Sequence, residues 1–222
     1  MPARRTLHGA LCEVVPLDPE RHGSELFRAF AADADERRWT YLPYGPFADE
    51  HAFRAWLQAS ASSSDPLFFA IVDSGGSAVG VASYLRITPA HGVIEVGHLN
   101  FSASLQRRPA ASEALYLLMK NAFELGYRRY EWKCDSLNQP SRAAAQRLGM
   151  SFEGIFRQAI VYKGRSRDTA WYAAIDSDWP ELARAYRSWL APENFDPSGA
   201  QRSRLSDLTA PLLAINTVKS SI

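Results

Sequence analysis

Two stretches of the sequence place polar side chains where they could act on a ligand. The first, Glu95 to Ala114, contains His98 and, after a short loop, Gln106 with Arg107 and Arg108. This loop is suited to bind an anion, because free backbone N–H groups and the positive end of a helix dipole converge where a strand leads into a helix. Any strand-to-helix turn offers such amides, however, and surface arginines are commonly only solvated.

The second stretch contains an asparagine and a serine three residues apart, Asn138 and Ser141, followed by Gly149. Asn138 is well suited to cap a helix, and Ser141 can complete a local hydrogen bond in the first turn. Taken by itself, this stretch predicts a well-capped helix and no chemistry.

The patterns around both stretches predict the element order β-α-α-β-β-β-α-β-α-β-β with a terminal helix. This is an α+β fold around one mixed, mostly antiparallel sheet flanked by helices. The predicted strands are 8–17, 67–72, 78–87, 92–101, 129–134, 152–162 and 169–175, and the predicted helices are 23–32, 49–59, 111–125, 139–148 and 179–190.

The length of 222 residues allows one substantial core, so we predict a single domain over residues 1–190. The polar stretch 191–222 shows little periodicity and is expected to be a peripheral or partly disordered extension. The net charge of +1 gives no long-range attraction to nucleic acid or to an anionic membrane.

Cysteine content and hydropathy indicate the compartment. Cys12 and Cys134 are the two cysteines and form no CxxC motif, which argues against a disulfide framework and against a metal site of the zinc type. Neither a signal peptide nor an apolar run of membrane-spanning length is found. We therefore expect a cytoplasmic protein that binds no metal and no membrane.

Together the two stretches resemble the GNAT superfamily of acyltransferases, whose acyl-CoA signature Q/R-x-x-G-x-G/A lies at a strand-loop-helix turn. Gln106 opens that signature here and Ala111 closes it, while Asn138, Ser141 and Gly149 match a second motif found in the ribosomal-protein N-terminal acetyltransferase branch. The likeness covers roughly residues 8–179. It implies transfer of an acyl group, with acetyl-CoA as the expected donor, to a primary amine of a small molecule or a protein N-terminus.

The first signature departs from the family pattern at two positions. Pro109 stands where a glycine is expected, and Arg107 replaces a frequent glycine after Gln106. Proline donates no backbone N–H, so one phosphate contact would be missing. The arginine side chains could replace it through charge-assisted hydrogen bonds.

The resemblance assigns roles to individual residues. In the family, backbone amides of the strand before the pyrophosphate loop bind the pantetheine and polarise the thioester carbonyl. Ser141 would protonate or hydrogen-bond the departing sulfur. The residues expected to bind the cofactor are Leu99, Phe101, Gln106, Arg107, Arg108, Ala110, Ala111 and Asn138.

The general base has two candidates. Glu95 stands where histone-acetylating members of the superfamily carry a glutamate base, but it could equally be a structural residue bonded to a neighbouring strand. His98 is the second candidate, since an ordinary histidine titrates near neutrality, although a histidine on a strand is more often a packing residue. The glutamate that the ribosomal branch carries after the Asn-x-x-Ser helix is absent, because Ile160 occupies that position.

The acceptor pocket is expected to involve the aromatic loop Trp39 to Phe47, with Tyr41 and Tyr44 as its walls. The alternative is a surface loop that packs its aromatic rings on the core, above all Trp39.

Two other functions stay open. A GNAT-like module could hold acyl-CoA or a peptide without turnover, as Pro109 and Ile160 would suggest, and an interaction protein could use the aromatic loop and the tail. The acyl group could also be succinyl or longer. The resemblance further allows a homodimer.

Overall fold

A computed structural model describes residues 1–32 and 36–219, and side chains as far as residue 213. The last three residues of the predicted extension lie outside the described residues. The chain forms two compact units, residues 1–126 and 127–222. The predicted domain boundary at residue 190 stays a prediction.

The described part of the first unit contains a five-stranded antiparallel sheet in the order β1-β2-β3-β4-β5. Short 3₁₀ helices cover Glu36–Trp39 and Pro89–His91. The strands and α-helices are β1 Leu7–His8, β2 Cys12–Pro16, α1 Pro19–Ala31, α2 Glu50–Ser62, β3 Leu67–Asp73, β4 Ala78–Thr88, β5 Val93–Phe101 and α3 Pro109–Glu124.

Capping explains where the helices of this unit begin. Asp18 accepts hydrogen bonds from two amides of the first turn of α1, so the predicted Asp-Pro turn is the helix start, with Pro19 at the first position. Asp49 caps α2 by accepting the N–H of Ala52. The predicted helices at 23–32 and 49–59 are therefore confirmed as elements, but α1 begins earlier and α2 extends to Ser62.

The first unit packs helices on both faces of its sheet. On one face Phe68, Ala70 and Val72 of β3 join a buried apolar cluster with side chains of α1 and α2. On the other face the Tyr84 hydroxyl donates to the backbone oxygen of Leu118 in α3 at 2.5 Å. These two layers hold β4 and β5 from both sides.

Glu113 connects α3 to the hairpin between β1 and β2. Its carboxylate is buried, with 4% of the residue exposed, and accepts backbone N–H bonds from Ala10 at 2.9 Å, Leu11 at 2.7 Å and Cys12 at 3.0 Å. A Cβ at Gly9 would overlap this carboxylate, so glycine is required there. One side chain thus satisfies three backbone donors, of which that of Cys12 is buried, and fixes the start of α3.

We predict that Glu113→Gln lowers the free energy of unfolding by about 3 kcal/mol. An amide oxygen cannot accept all three bonds, and each buried donor that is left unsatisfied costs about 1–3 kcal/mol. Urea unfolding measures the change. Glu124→Gln on the same helix is the control, because Glu124 forms an exposed i,i+4 pair with Lys120 and such pairs contribute about 0.3–0.5 kcal/mol. Equal costs for the two variants would contradict this explanation of Glu113.

The described part of the second unit contains a three-stranded antiparallel sheet in the order β6-β8-β7. The helix α6 was not predicted. It packs against α4 and α5, and the buried Thr209 donates to the backbone oxygen of Arg147 at 3.1 Å. The elements are β6 Arg129–Asp135, α4 Gln139–Arg147, β7 Ser151–Tyr162, β8 Arg165–Ile175, α5 Trp179–Leu190, a 3₁₀ helix Pro192–Asn194 and α6 Leu205–Lys219.

The predicted order of strands and helices is thus confirmed. The predicted first strand is divided into β1 and β2 by a tight turn, and β8 begins four residues earlier than expected, at Arg165. In the described residues, no helix combines the length and the apolar character that crossing a membrane requires.

Candidate active site

The turn from β5 into α3 leaves backbone amides open at the helix start. The amides of Leu105 and Gln106 bond to the oxygen of Ser102, Arg108 N–H bonds to Leu105, and Ala111 N–H bonds to Arg108. The backbone bonds found in the described chain include none from the amides of Arg107 and Ala110. Arg108, at the N-cap position, makes no side-chain capping bond. These amides, with the helix dipole, suit an anion.

The two departures from the glycine-rich signature have structural explanations. Arg107 adopts φ 59°, a left-handed conformation that glycine takes without cost, which explains why glycine is frequent there. Pro109 is the first residue of α3, where the missing N–H would have had no helical partner in any case. Both arginines of the loop are exposed.

Gln106 is held inside its own loop. Its Nε2 donates to the backbone oxygen of Phe101, the last residue of β5, at 2.7 Å. The same oxygen accepts a bond from Arg38 Nη1 at 3.3 Å. Burial lowers the pKa of Arg38. The end of β5 is therefore fixed from two sides, by the loop and by the segment that precedes Trp39.

The predicted cofactor strand contains a β-bulge at its centre. Gly97 lies opposite Ser83, but Asn100 lies opposite Val81, so β5 holds one extra residue between these pairs. His98 takes up this bulge with φ 52°. The extra residue of a bulge is left out of the ladder. Leu99 and Phe101 follow directly and are half-buried.

The register of the strands shows which face His98 and Glu95 share. Phe68 lies opposite Ser83, which lies opposite Gly97, so these residues point to the α1 and α2 face. Glu95, two residues before Gly97, shares that face, and its Oε1 lies 3.8 Å from the position of a Cβ at Gly97. The ring of His98 packs on Phe68 with 5.1 Å between ring centroids.

Tyr44 connects the aromatic loop to this face. Its ring is stacked on His98 at 5.6 Å and 12°, and lies 4.4 Å from the ring of Trp56. Burial raises the pKa of Tyr44. Tyr41 lies half-buried in the same loop. Trp39 is buried in the core cluster, so the packing alternative is confirmed for that residue.

His98 is held in its neutral form. Burial lowers its pKa to about 4, and the positive charge of Arg86 acts in the same direction. Its Nδ1 is buried and has no hydrogen-bond partner among the described residues. At neutral pH the imidazole can accept a proton or a hydrogen bond.

We predict that His98 makes the fold less stable in acid. Because its pKa is lower in the folded chain, the unfolded chain binds more protons as the pH falls from about 6.5 to about 4, and stability is lost over that window. The expected loss is on the order of 3 kcal/mol. Urea unfolding of the wild type and of His98→Asn at pH 7 and pH 4.5 measures it. Burial also lowers the pKa of His22, but His22 is present in both proteins, so its contribution cancels in the comparison. Equal pH dependence of stability in the wild type and in His98→Asn would contradict the prediction.

Glu95 forms the contact expected of a structural residue bonded to a neighbouring strand. Arg86 Nη1 of β4 donates to its Oε2 at 2.6 Å, and the exposed fractions of the two side chains are 56% for Arg86 and 4% for Glu95. Arg86 was not among the site residues predicted from the sequence. A charged residue inside the apolar run from Tyr84 to Ile87 was the signal available.

The second unit arranges Asn138 and Ser141 as the sequence predicts. The Asn138 side chain accepts the N–H of Ser141 at 3.2 Å and caps α4. Ser141 Oγ accepts a bond from Nε1 of the buried Trp132 at 3.0 Å. An indole N–H only donates, so Ser141 is the acceptor in this bond. Burial raises the pKa of Cys134, and its hydrogen bond with Ser141 acts in the opposite direction.

The remaining charged residues of this unit form a network of their own. Buried Glu131 bonds to Arg129 at 2.7 Å and to Lys133 at 2.6 Å, and Arg129 also pairs with Glu153. Burial is the largest effect on the pKa of Glu131 and raises it. The hydrogen bonds and positive charges of Lys133 and Arg129 outweigh burial, so the pKa lies below its usual value. Ile160 lies opposite Arg167 and is 42% exposed.

The chain is similar in sequence and in structure to known acetyltransferases. Residues 14–151 match the family model described as acetyltransferase (GNAT) domain. A crystal structure of a GCN5-related N-acetyltransferase from Brucella melitensis is 47% identical, with a TM-score of 0.92 over 94% of this chain and 96% of that one. Uncharacterized N-acetyltransferase YnaD of Bacillus subtilis is 25% identical over 147 residues, which are 66% of this chain and 85% of the relative.

The likeness to the ribosomal branch is weaker. A structure named as the RimL acetyltransferase of ribosomal protein L7/L12 is 23% identical, with a TM-score of 0.66 over 77% of this chain and 94% of that one. This match shows the fold alone, so the predicted branch is not confirmed. The family model, by contrast, covers more than half of the 222 residues, and this chain belongs to the GNAT acetyltransferase family.

Proposed function

We propose that this protein transfers an acetyl group from acetyl-CoA to a primary amine by direct attack of the amine on the thioester. The observation that carries the proposal is the succession, within one unit, of the bulge at His98 and the start of α3, where the amides of Arg107 and Ala110 make no backbone bond among the described residues. A bulge leaves backbone groups unpaired, and these would bind the thioester carbonyl, while a helix start suits the phosphates.

The donor would lie along β5 and the start of α3. Backbone groups of Leu99 and Phe101 would bind the pantetheine arm, and the amides of Arg107 and Ala110 would bind the pyrophosphate. The exposed Arg107 and Arg108 side chains add charge-assisted bonds. From the resemblance to the family, Asn138 is proposed to contact the pantetheine arm. Gln106 and Ala111 would act through the loop, since their amides are already bonded.

The chemical step forms a C–N bond and breaks a C–S bond. The amine must lose a proton, the tetrahedral oxyanion must be stabilised, and the thiolate must leave. We assign proton acceptance to His98, because Glu95 is bonded to Arg86. Backbone N–H groups at the bulge would bind the oxyanion, and Ser141 would donate a proton to the departing thiolate. The products are the acetylated amine and CoA.

Binding of acyl-CoA without turnover is the second candidate, favoured by the exposed Ile160 where the ribosomal branch carries a glutamate. A protein N-terminus as acceptor and a homodimer stay predictions from the resemblance.

Thermal unfolding with acetyl-CoA, succinyl-CoA and free CoA tests the donor. A ligand at about 100 times its dissociation constant should add about 2.7 kcal/mol of stability, and the donor that gives the largest rise identifies the acyl group. The double variant Arg107→Ala/Arg108→Ala should weaken the rise. Arg184→Gln, on the exposed surface of α5, is the matched control. No rise with any CoA species would refute the donor assignment.

A further inference from the structure

Two bulges in neighbouring strands place polar residues in the left-handed backbone region. Arg86 of β4 has φ 48° and His98 of β5 has φ 52°, and the register of the β4–β5 pair shifts at both places. Residues other than glycine are rare in this left-handed backbone region, and they cluster at ligand sites. Bulges also re-aim side chains.

Both side chains arrive on the sheet face that carries Glu95. The guanidinium of Arg86 bonds to Glu95, which shares the face of Gly97, and the ring of His98 packs on Phe68 of the same face. An undistorted β4 would alternate, so that Arg86, one residue after Leu85, would point to the other face. The distortion of β4 therefore places this guanidinium against Glu95, on the face that also holds the ring of His98.

Most of the hydrogen-bonding capacity of Arg86 is left over. The described bonds of its guanidinium use one nitrogen, Nη1, whereas arginine carries five N–H donors in a fixed fork. Its side chain is 56% exposed while the partner carboxylate is 4% exposed. The buried Glu95 thus fixes the guanidinium, and the remaining edge, Nε with Nη2, can bind a second carboxylate through two bonds.

We propose that the acetyl acceptor is an amine with a carboxylate close to its nitrogen, a free amino acid, and that Arg86 binds this carboxylate. The inference rests on the proposed acetyl transfer. With the carboxylate on Arg86, the amine lies on the face of His98. The rings of Tyr44, Trp56 and Phe68 around this face supply apolar surface, so apolar side chains are favoured. A protein N-terminus has a peptide carbonyl, not a carboxylate, at this place.

Matched acceptors test the inference. Release of free thiol from acetyl-CoA is measured with L-phenylalanine, L-phenylalaninamide and phenethylamine. The amino acid should have a kcat/KM at least about tenfold above its amide, the ratio that 1.4 kcal/mol of carboxylate binding gives. Arg86→Gln/Glu95→Gln should reduce that preference to less than about threefold, and it leaves no buried charge unpaired. Arg184→Gln should retain the full preference.

A second readout does not need turnover. L-phenylalanine with free CoA should raise the unfolding temperature, the amide should not, and the double variant should lose the rise. Equal kcat/KM for the three acceptors would overturn the inference and leave acetyl transfer standing. A carboxylate-dependent rise with no thiol release would support the anchor and refute the proposed reaction. If the protein shows no preference for the amino acid over its amide and no rise in the unfolding temperature, the inference is overturned.

Discussion

Ser141→Ala is expected to lower kcat about 10²-fold or more and to leave KM for acetyl-CoA almost unchanged. Proton donation by a positioned side chain contributes about 10²–10⁴-fold, and a departing thiolate needs its proton only in the transition state. The indole of Trp132 donates to the serine oxygen and holds the hydroxyl in place. Single-turnover and steady-state kinetics with one amine acceptor measure the effect.

Structural damage must be separated from lost chemistry in this variant. Removing the hydroxyl leaves the Trp132 N–H without its partner, which costs about 1–3 kcal/mol of stability. Ser141→Thr keeps a hydroxyl and should retain more of the rate than Ser141→Ala, while Ser177→Ala, in an exposed turn, should match the wild type. A rise in KM with an unchanged kcat would assign Ser141 to binding and not to proton donation.

His98→Asn is expected to lower kcat/KM about 10²-fold, whereas Glu95→Gln should lower it less than tenfold. Asparagine tolerates the left-handed backbone at this bulge, so the strand keeps its shape while the imidazole is removed. Glu95 is bonded to Arg86, and its role in this account is to hold that guanidinium. The comparison uses an acceptor without a carboxylate, so that binding by Arg86 does not enter the rates.

The pH profile adds an independent check on the same assignment. If His98 accepts the proton, the acid limb of kcat/KM should fall near pH 4, where its pKa lies, and it should disappear in His98→Asn. The reverse ranking of the two variants, with Glu95→Gln almost inactive, would contradict the assignment of His98.

Local signals predicted much of the fold from the sequence. The helix at 179–190 has the predicted bounds, and Asn138 caps α4 as expected. Side-chain caps and helical periodicity depend on residues within a few positions, which the sequence displays directly. The boundary at Asp18 was misplaced because Asp-Pro is typical of a turn and of a helix start alike.

Other features depend on pairing that the local sequence does not display. The bulges at Arg86 and His98 arise from the register between β4 and β5, and no periodicity marks them. The Arg86–Glu95 pair likewise joins residues nine positions apart across two strands. The helix α6 contains Pro211, and its packing on α4 and α5 overrides a weak local pattern. The candidate base was therefore left open between Glu95 and His98 at the level of sequence.

Release of free thiol from acetyl-CoA by the purified protein, with and without an amine, tests the central claim most directly. Acetyl transfer predicts thiol release that rises with amine concentration, saturates, and yields one acetylated amine per thiol. Binding of acetyl-CoA with no amine-dependent thiol release, across simple amines, amino acids and a peptide with a free N-terminus, would contradict it.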